Sequence, residues 1–138
     1  MNKGLCYVVS SYTRLTDHYS FVGIIIFNNK KYIVKGTVNN GPFIRMECLG
    51  AEVHGIIEVI KKCLELKIKE VDLYSYSQLL KDLMNGTKRT IKPGLIKFLD
   101  FIQAIEEKIN INCIKARKID DIYEMKEAKF ICRNMLGL

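Results

Sequence analysis

The residues best placed to do chemistry stand where an apolar strand runs into a helix, in the segment from Val71 to Leu80. Tyr76, Ser77 and Gln78 lie at that crossing. In α/β proteins the end of a strand that opens a helix is a usual place for a binding or catalytic site. The two hydroxyl groups are neutral at pH 7, so the triplet offers hydrogen bonds and an aromatic ring rather than negative charge.

Positive charge is the second chemical signal of the chain. Its 22 Lys and Arg residues outnumber 15 Asp and Glu residues, and the formal net charge of +7 favours partners with phosphate groups or anionic surfaces. A basic loop, Thr87 to Lys92, follows the crossing, and it is either a set of phosphate contacts or a solvated loop. The cations that we assign to phosphate contacts are Lys88, Arg89 and Lys92, with Arg117, Lys118, Lys61 and Lys62 elsewhere.

Cysteine and histidine form no metal-binding pattern in the sequence. The five cysteines are widely scattered, with no Cys-x-x-Cys spacing and no neighbouring His to complete a zinc set. His18 and His54 have no partner spacing that indicates a general base or a ligand. We expect reduced and mostly buried side chains at Cys6, Cys48, Cys63, Cys113 and Cys132.

The sequence does not indicate a membrane or secreted protein. Its longest apolar run, Phe21 to Phe27, is far shorter than the roughly 20 residues that a spanning helix needs. The first residues lack the apolar core and the cleavage site of a secretory signal. We therefore expect a cytoplasmic protein with one domain over positions 1–138, an ordinary domain size.

The elements that must position these residues follow from the spacing of apolar side chains. Alternating and β-branched runs predict strands, with a tight turn at Asn28-Asn29, and apolar residues three and four apart predict helices. The predicted strands are Leu5–Ser10, Tyr19–Phe27, Tyr32–Val38, Val71–Ser75 and Ile111–Ala116. The predicted helices are Ala51 to about Leu66, Ser77 to Met84, Pro93 with an apolar stripe reaching Ile109, and a last helix capped by Asp120 or Asp121 with an inward face reaching Met135.

The order of these elements is β-β-β-α-β-α-α-β-α. It predicts an α/β fold with a mixed five-stranded sheet, three antiparallel strands followed by alternating helices and strands, flanked by helices. Over nearly the whole chain this order resembles the ribonuclease H family, whose members carry Ala-Glu or Met-Glu at the start of the first helix and Asp-Ser-Gln after the fourth strand. Ala51-Glu52 stands in the first of these places. Tyr76-Ser77-Gln78 stands in the second, 24 residues after the Glu, close to the family's spacing.

Other positions match the family less well. Glu47, in a Met-Glu pair, rivals Glu52 but lies 29 residues before Tyr76. Glu127 aligns with the family's last carboxylate, on the final helix. The family's Asp-Gly-Ser in the first strand corresponds to Ser-Ser-Tyr beginning at Ser10. Two of the family's carboxylates, those replaced by Ser10 and Tyr76, are therefore absent.

The resemblance implies a chemistry for which this chain lacks most ligands. In the family, carboxylates hold two divalent ions about 3.5 to 4 Å apart, which clamp the scissile phosphate. Glu52 and Glu127 are the only matching carboxylates that remain. We therefore expect relict positions with no bound metal and no other cofactor, although these two residues are the candidates if a metal binds.

The function that the resemblance implies is that of a ribonuclease-H-like module which binds nucleic acid, or a protein partner, without hydrolysis. Ser77 and Gln78 would lie near the minor groove of an RNA/DNA hybrid. The alternative is an endoribonuclease dependent on Mg²⁺ or Mn²⁺ that cuts the RNA strand of such hybrids, with a site rebuilt from Asp72, Asp120 or Asp121. A purely structural domain is the third interpretation, and the oligomeric state stays open.

Several of these residues also have a plainer interpretation. Glu52 suits the first turn of any helix because of the helix dipole. Glu127 suits a solvated, ion-paired face beside cations such as Lys129. Tyr76 either fills the vacated metal site or stacks an exposed ring on a base, and Ser77 is a capping residue in any protein.

Overall fold

The structure is a computed structural model that describes residues 3–39, 43, 46–90, 92–116 and 122–138. It contains the nine elements in the order that the sequence predicts. The strands are β1 Lys3–Thr13, β2 His18–Phe27, β3 Lys30–Val38, β4 Glu70–Ser75 and β5 Asn110–Lys115. The helices are α1 Glu47–Glu65, α2 Gln78–Met84, α3 Pro93–Ile105 and α4 Tyr123–Met135.

The five strands form one mixed sheet in the order β3-β2-β1-β4-β5. The pairs β1–β2 and β2–β3 are antiparallel, whereas β1–β4 and β4–β5 are parallel, which confirms the predicted α/β class. In the parallel pair, Tyr7 of β1 lies opposite Tyr74 of β4. Strand β4 ends at Ser75, beside the middle of β1, and β1 continues in the same direction to Thr13, so the last residues of β1 lie beyond the carboxyl end of β4.

A tight turn joins β2 to β3 in the antiparallel part of the sheet. Asn28 and Asn29 both have left-handed backbone angles, with φ of 52° and 63°. Two consecutive positive φ values are what a two-residue type I′ turn requires, and Asn tolerates them better than most residues. The predicted turn is therefore confirmed, and it sets the register of the two long strands.

Helices cover both faces of β1 because its buried side chains alternate between two clusters. Cys6 and Val8 pack in the larger cluster, with α1, and Tyr7 and Val9 pack in the second cluster, with α4. A strand with both faces covered reads as a nearly continuous apolar run. Strand β1 therefore brings α1 and α4 to the same strand end from opposite sides of the sheet.

Glycine allows α1 to approach the sheet closely. A Cβ atom on Gly23 of β2 would lie 2.0 Å from the Val59 Cγ2 atom, which is too close for any real contact. On the helix itself, a Cβ atom on Gly55 would lie 2.9 Å from the Val8 Cγ1 atom and 3.0 Å from the Phe21 Cβ atom. The depth of α1 against the sheet therefore depends on these two glycines.

The boundaries of three helices differ from the prediction. Helix α3 ends at Ile105, four residues before the predicted end of its stripe at Ile109. Helix α1 begins at Glu47 rather than Ala51, so Glu52 lies beyond the first turn and the helix dipole does not explain it. The N-cap residue of α4 is Ile122, which makes no side-chain cap hydrogen bond. The predicted caps at positions 120 and 121 lie outside the described residues.

The cysteines are free, as the sequence predicts, and most of them are at least partly buried. Cys6, Cys63 and Cys132 are fully buried and Cys113 is half-buried. Cys48 is the exception, because it lies on an exposed position of α1.

The close approach of α1 can be tested at Gly55. The substitution Gly55→Ala should lower the free energy of unfolding by about 1 to 3 kcal/mol, because the new methyl group has no room against Val8 and Phe21. It should do so although Ala is the better helix former by about 1 kcal/mol. Urea unfolding followed by circular dichroism measures the change.

The control is the same exchange on another helix. A Cβ atom on Gly94 of α3 would meet mainly the flexible end of Met46, at 2.8 Å. We expect Gly94→Ala to be neutral or stabilising. Equal destabilisation by the two substitutions would show that α1 has room to shift and does not depend on Gly55.

Candidate functional site

Glu52 is a buried carboxylate that joins α1 to the end of β4. Its side chain is 7% exposed. One carboxylate oxygen, Oε1, accepts a hydrogen bond of 2.8 Å from the Ser75 hydroxyl and one of 3.0 Å from the backbone N–H of Tyr76. The carboxylate therefore lies at the strand-to-helix crossing that the sequence singles out.

The rival carboxylate, Glu47, lies elsewhere. It is the first residue of α1, and its half-exposed side chain forms an ion pair of 3.6 Å with Arg14. The structure therefore brings Glu52 rather than Glu47 to the end of β4, in agreement with the 24-residue spacing.

The environment of Glu52 opposes its negative charge. Burial raises the pKa of the Glu52 carboxyl above its ordinary value of 4.5, although the hydrogen bonds from Tyr76 and Ser75 and the charge of Lys129 lower it. Burial prevails because removing a carboxylate from water costs more than these contacts return. Carboxylates with a raised pKa are more frequent at functional sites than elsewhere.

Lys129 of α4 reaches the same edge of the sheet from the opposite face. Its ammonium nitrogen donates a hydrogen bond of 2.6 Å to the backbone oxygen of Ser10 and one of 2.9 Å to the hydroxyl of Ser11. Ser11 is itself buried. We call the group formed by Glu52, Lys129, Ser10, Ser11 and Ser75 the strand-end site.

The part played by Lys129 and Ser75 was not anticipated from the sequence. Lys129 lies four residues after Met125 and three residues before Cys132, and both of those side chains are buried under α4. Such spacing puts Lys129 at the border of the inward face of the helix. This periodicity was a signal that the side chain points toward the sheet rather than into solvent.

Glu127 does not lie with Glu52. Its carboxylate forms an ion pair of 2.5 Å with the ammonium of Lys31, at the start of β3. In the sheet, β2 and β1 separate β3 from β4. The resemblance implies a role for Glu127 beside Glu52, and the structure gives it instead a partner on the far edge strand.

Tyr76 stands where the resemblance implies an Asp. Its ring packs against the buried cluster under α4, and its phenol oxygen is buried. Nearby, the rings of Tyr7 and Tyr74 stack at 5.0 Å. This packing favours the interpretation that Tyr76 fills space over the one in which its exposed ring stacks on a base.

Ser77 and Gln78 make local hydrogen bonds at the start of α2. The Ser77 hydroxyl accepts a hydrogen bond of 3.1 Å from the N–H of Leu80, so it caps the helix. The side-chain amide of Gln78 donates a hydrogen bond of 2.8 Å to Asp82. Gln78 is nevertheless exposed, and it remains accessible to a ligand.

The basic loop follows α2 and leads into α3. Lys88, Arg89 and Lys92 are all exposed, and Lys92 is the N-cap residue of α3. The predicted phosphate contacts Arg117 and Lys118 lie outside the described residues. On α1, Lys61 is exposed as well, whereas Lys62 is half-buried and paired with Glu65. Four of the predicted cations are therefore exposed to an anionic partner.

Asp72, a candidate for a rebuilt metal site, is engaged near the start of β4. It forms an ion pair of 3.0 Å with Lys3 and accepts a hydrogen bond of 3.2 Å from Asn112. Lys3 is on β1 and Asn112 is on β5, the two strands that flank β4. Asp72 itself lies three residues before the end of β4 at Ser75. The other candidates, Asp120 and Asp121, lie outside the described residues.

The donor set of the strand-end site does not fit a pair of divalent ions. Two such ions need several anionic oxygen ligands, and the site combines one carboxylate with one ammonium group. Within residues 3–39, 43, 46–90, 92–116 and 122–138, no group of three or more His, Cys, Asp and Glu side chains could hold a metal ion. In the same residues, no helix is long and apolar enough to cross a membrane.

No protein-family model and no curated protein matches the chain. Solved structures do match it, although at low sequence identity. RNase H1 from the halophilic archaeon Halobacterium salinarum has a TM-score of 0.79 at 11% identity, and the match covers 98% of each chain. The N-terminal RNase H domain of a Mycobacterium tuberculosis protein has a TM-score of 0.79 at 14% identity, with 97% of this chain and 93% of that chain covered.

A third match is LC11-RNase H1, isolated from compost and solved in complex with an RNA/DNA hybrid. Its TM-score is 0.76 at 13% identity, and the match covers 96% of this chain and 99% of that chain. At such low identities, these matches show a shared fold and nothing further.

The raised pKa of Glu52 predicts how stability depends on pH. A carboxyl group whose pKa is raised in the folded state contributes stability that is fully present below its ordinary pKa and is lost as the pH rises through the folded pKa. Glu52→Gln keeps an acceptor oxygen for Ser75 and Tyr76 but carries no charge. The variant should therefore unfold with a larger free energy than the wild type at about pH 7, and the difference should shrink toward about pH 4.

Urea unfolding across this pH range measures the difference. Glu107→Gln, at an exposed position between α3 and β5, is the control, and its effect should be small. A Glu52→Gln variant that is less stable than the wild type at neutral pH would contradict the destabilising role of the buried charge.

Proposed function

We propose that this chain, which has the ribonuclease H-like fold, is a nucleic-acid-binding module that does not hydrolyse its ligand. The observation that carries the proposal is the strand-end site, where a single buried carboxylate, Glu52, shares the edge of the sheet with the ammonium of Lys129. The net charge of +7 adds a general attraction for phosphate backbones.

The lack of hydrolysis follows from the charges of the site. Hydrolysis by two metal ions needs one ion to generate the nucleophilic hydroxide and another to stabilise the leaving oxygen. Hydroxyl groups, such as those of Ser10 and Ser11, are neutral and offset little of the charge on two dications. A lysine ammonium in the same place adds positive charge where the ions would need negative charge.

The nucleic-acid ligand is supported by the fold and by the accessible cations. LC11-RNase H1, which shares the fold, was solved with an RNA/DNA hybrid. In this chain Lys88, Arg89 and Lys92 are exposed beside α2, and Gln78 is exposed at its start. Phosphate contacts of this kind bind without reading sequence, so we propose binding that depends on shape and charge.

The binding surface can be tested by neutralising the basic loop. The double variant Lys88→Ala/Arg89→Ala should bind a labelled RNA/DNA hybrid more weakly than the wild type, and the slope of log affinity against log salt should fall by about two units. Fluorescence anisotropy at several salt concentrations, with hybrid, duplex DNA and single-stranded RNA, measures both quantities.

The matched control removes two charges from the opposite end of the sheet. Lys69 and Lys108 are exposed and precede β4 and β5, so Lys69→Ala/Lys108→Ala changes the net charge equally without touching the basic loop. Equal weakening by both double variants would indicate non-specific attraction. The absence of salt-sensitive binding to any of the three nucleic acids would remove the proposal and leave a protein partner or a structural role.

The competing function is a metal-dependent endoribonuclease that cuts the RNA strand of hybrids. One observation favours it, namely that Glu52 lies buried at the end of β4 in a fold shared with RNase H1 proteins. Such an enzyme would require Mg²⁺ or Mn²⁺ ligands beyond the strand-end site, and Asp120 or Asp121 would be the remaining candidates.

Incubation with a hybrid labelled on its RNA strand separates the two functions. We expect no cleavage by the wild type with either Mg²⁺ or Mn²⁺, because the strand-end site has one carboxylate where two ions would need several anionic ligands. Cleavage that disappears in Glu52→Gln would establish the nuclease instead, whereas cleavage that persists in Glu52→Gln would indicate a contaminating enzyme.

A further inference from the structure

The ammonium of Lys129 is held on Ser10 and Ser11, at the same end of the sheet as the Glu52 carboxylate. A phosphate of a nucleic acid that bound at this end would need a neutralising cation. We propose that Lys129 supplies this positive charge as a fixed part of the chain, so that the strand-end site takes a backbone phosphodiester without any divalent ion. This inference rests on the proposed nucleic-acid binding, and it adds the ligand group and the metal independence of the site.

The geometry holds the ammonium in place. The Ser10 backbone oxygen and the Ser11 hydroxyl accept two of its hydrogen bonds, at 2.6 and 2.9 Å. An ammonium group has three N–H bonds, and contacts among the described residues account for two of them, so the third can serve a ligand oxygen. Because two contacts already restrict the Lys129 side chain, binding a phosphate there costs less conformational entropy than binding by a free surface lysine.

The surroundings of Lys129 make its charge effective. The side chain is half-buried on α4, so solvent and salt screen it less than they screen the exposed cations of the basic loop. Its charge is felt at Glu52, whose pKa it lowers against the larger effect of burial. Lys129 therefore contributes positive charge near the buried carboxylate and is also the candidate phosphate contact.

The same arrangement disfavours a divalent ion. Glu52 already accepts hydrogen bonds from Ser75 and from the backbone of Tyr76 on the oxygen that faces β4. A metal ion that approached the carboxylate would also meet the like charge of Lys129. The hydroxyl groups of Ser10, Ser11 and Ser75 do not replace the anionic ligands that a hard cation prefers.

The test compares binding of a labelled RNA/DNA hybrid with and without divalent ions. We expect the wild type to bind equally, within about twofold, in EDTA and in Mg²⁺. Lys129→Met, which keeps the length of the side chain but removes its charge, should weaken binding roughly tenfold and lower the salt slope by about one unit. Lys129→Arg should retain most of the affinity.

The control for the loss of a single charge is Lys108→Met, at an exposed position just before β5, at the end of the sheet opposite the strand-end site. Its effect should be no more than about twofold. Circular dichroism and thermal unfolding establish that each variant is folded. If Lys129→Met does not fold, Lys129→Gln takes its place with the same expected loss of affinity and salt slope.

A second readout does not involve nucleic acid. Electron paramagnetic resonance of free Mn²⁺ measures how many ions the protein binds, and wild type and Glu52→Gln should bind equal numbers. Mn²⁺ binding that is lost in Glu52→Gln would overturn the inference directly.

The outcomes separate this inference from the proposed function. Binding of the hybrid that requires Mg²⁺, or equal weakening by Lys129→Met and Lys108→Met, would overturn the role of Lys129 while the nucleic-acid function stands. No binding of hybrid in either buffer would instead end the proposed function, and the phosphate role of Lys129 with it.

Discussion

The structure around the strand-end site depends on one buried carboxylate. Through its hydrogen bonds with the Ser75 hydroxyl and the Tyr76 backbone, Glu52 fixes α1 to the end of β4 at the point where the chain turns into α2. A buried carboxylate is tolerated only where hydrogen bonds and a nearby positive charge satisfy it. Lys129, at the same end of the sheet, adds a favourable charge that only partly offsets the burial of Glu52.

The sheet brings these two charges together because it is covered on both faces. Helix α1 approaches β1 and β2 closely at Gly23 and Gly55, and it delivers Glu52 from one side. Helix α4 packs under the other face and delivers Lys129 to Ser10 and Ser11. Both side chains therefore lie at the same end of the sheet, where the charge of Lys129 acts on Glu52.

This arrangement separates the shape of the fold from the chemistry of its site. The backbone resembles RNase H1 proteins over nearly the full length of each chain. The strand-end site nevertheless holds one carboxylate, three serines and an ammonium group, with Tyr76 packed where the resemblance implies an Asp. A fold sets where a site lies, and the side chains at that place decide what it binds.

The sequence by itself determined the order and type of the elements, the crossing at Tyr76 and the choice of Glu52. These features depend on periodicities of two and 3.6 residues and on short spacings along the chain, which local residues encode. The start of α1 was placed four residues late, because the sequence pattern does not show where a helix first gains tertiary support.

Only the tertiary structure decided which charges share a site. Lys129 meets Ser10 and Ser11 across 119 and 118 residues of chain, and Glu127 meets Lys31 across 96. From the sequence, Glu127 matched the family's last carboxylate and Lys129 belonged to a solvated face. The rotation of α4 about its own axis decides which of these two side chains points toward the strand-end site. That rotation results from the packing of many side chains that are distant in sequence, and no local pattern encodes it.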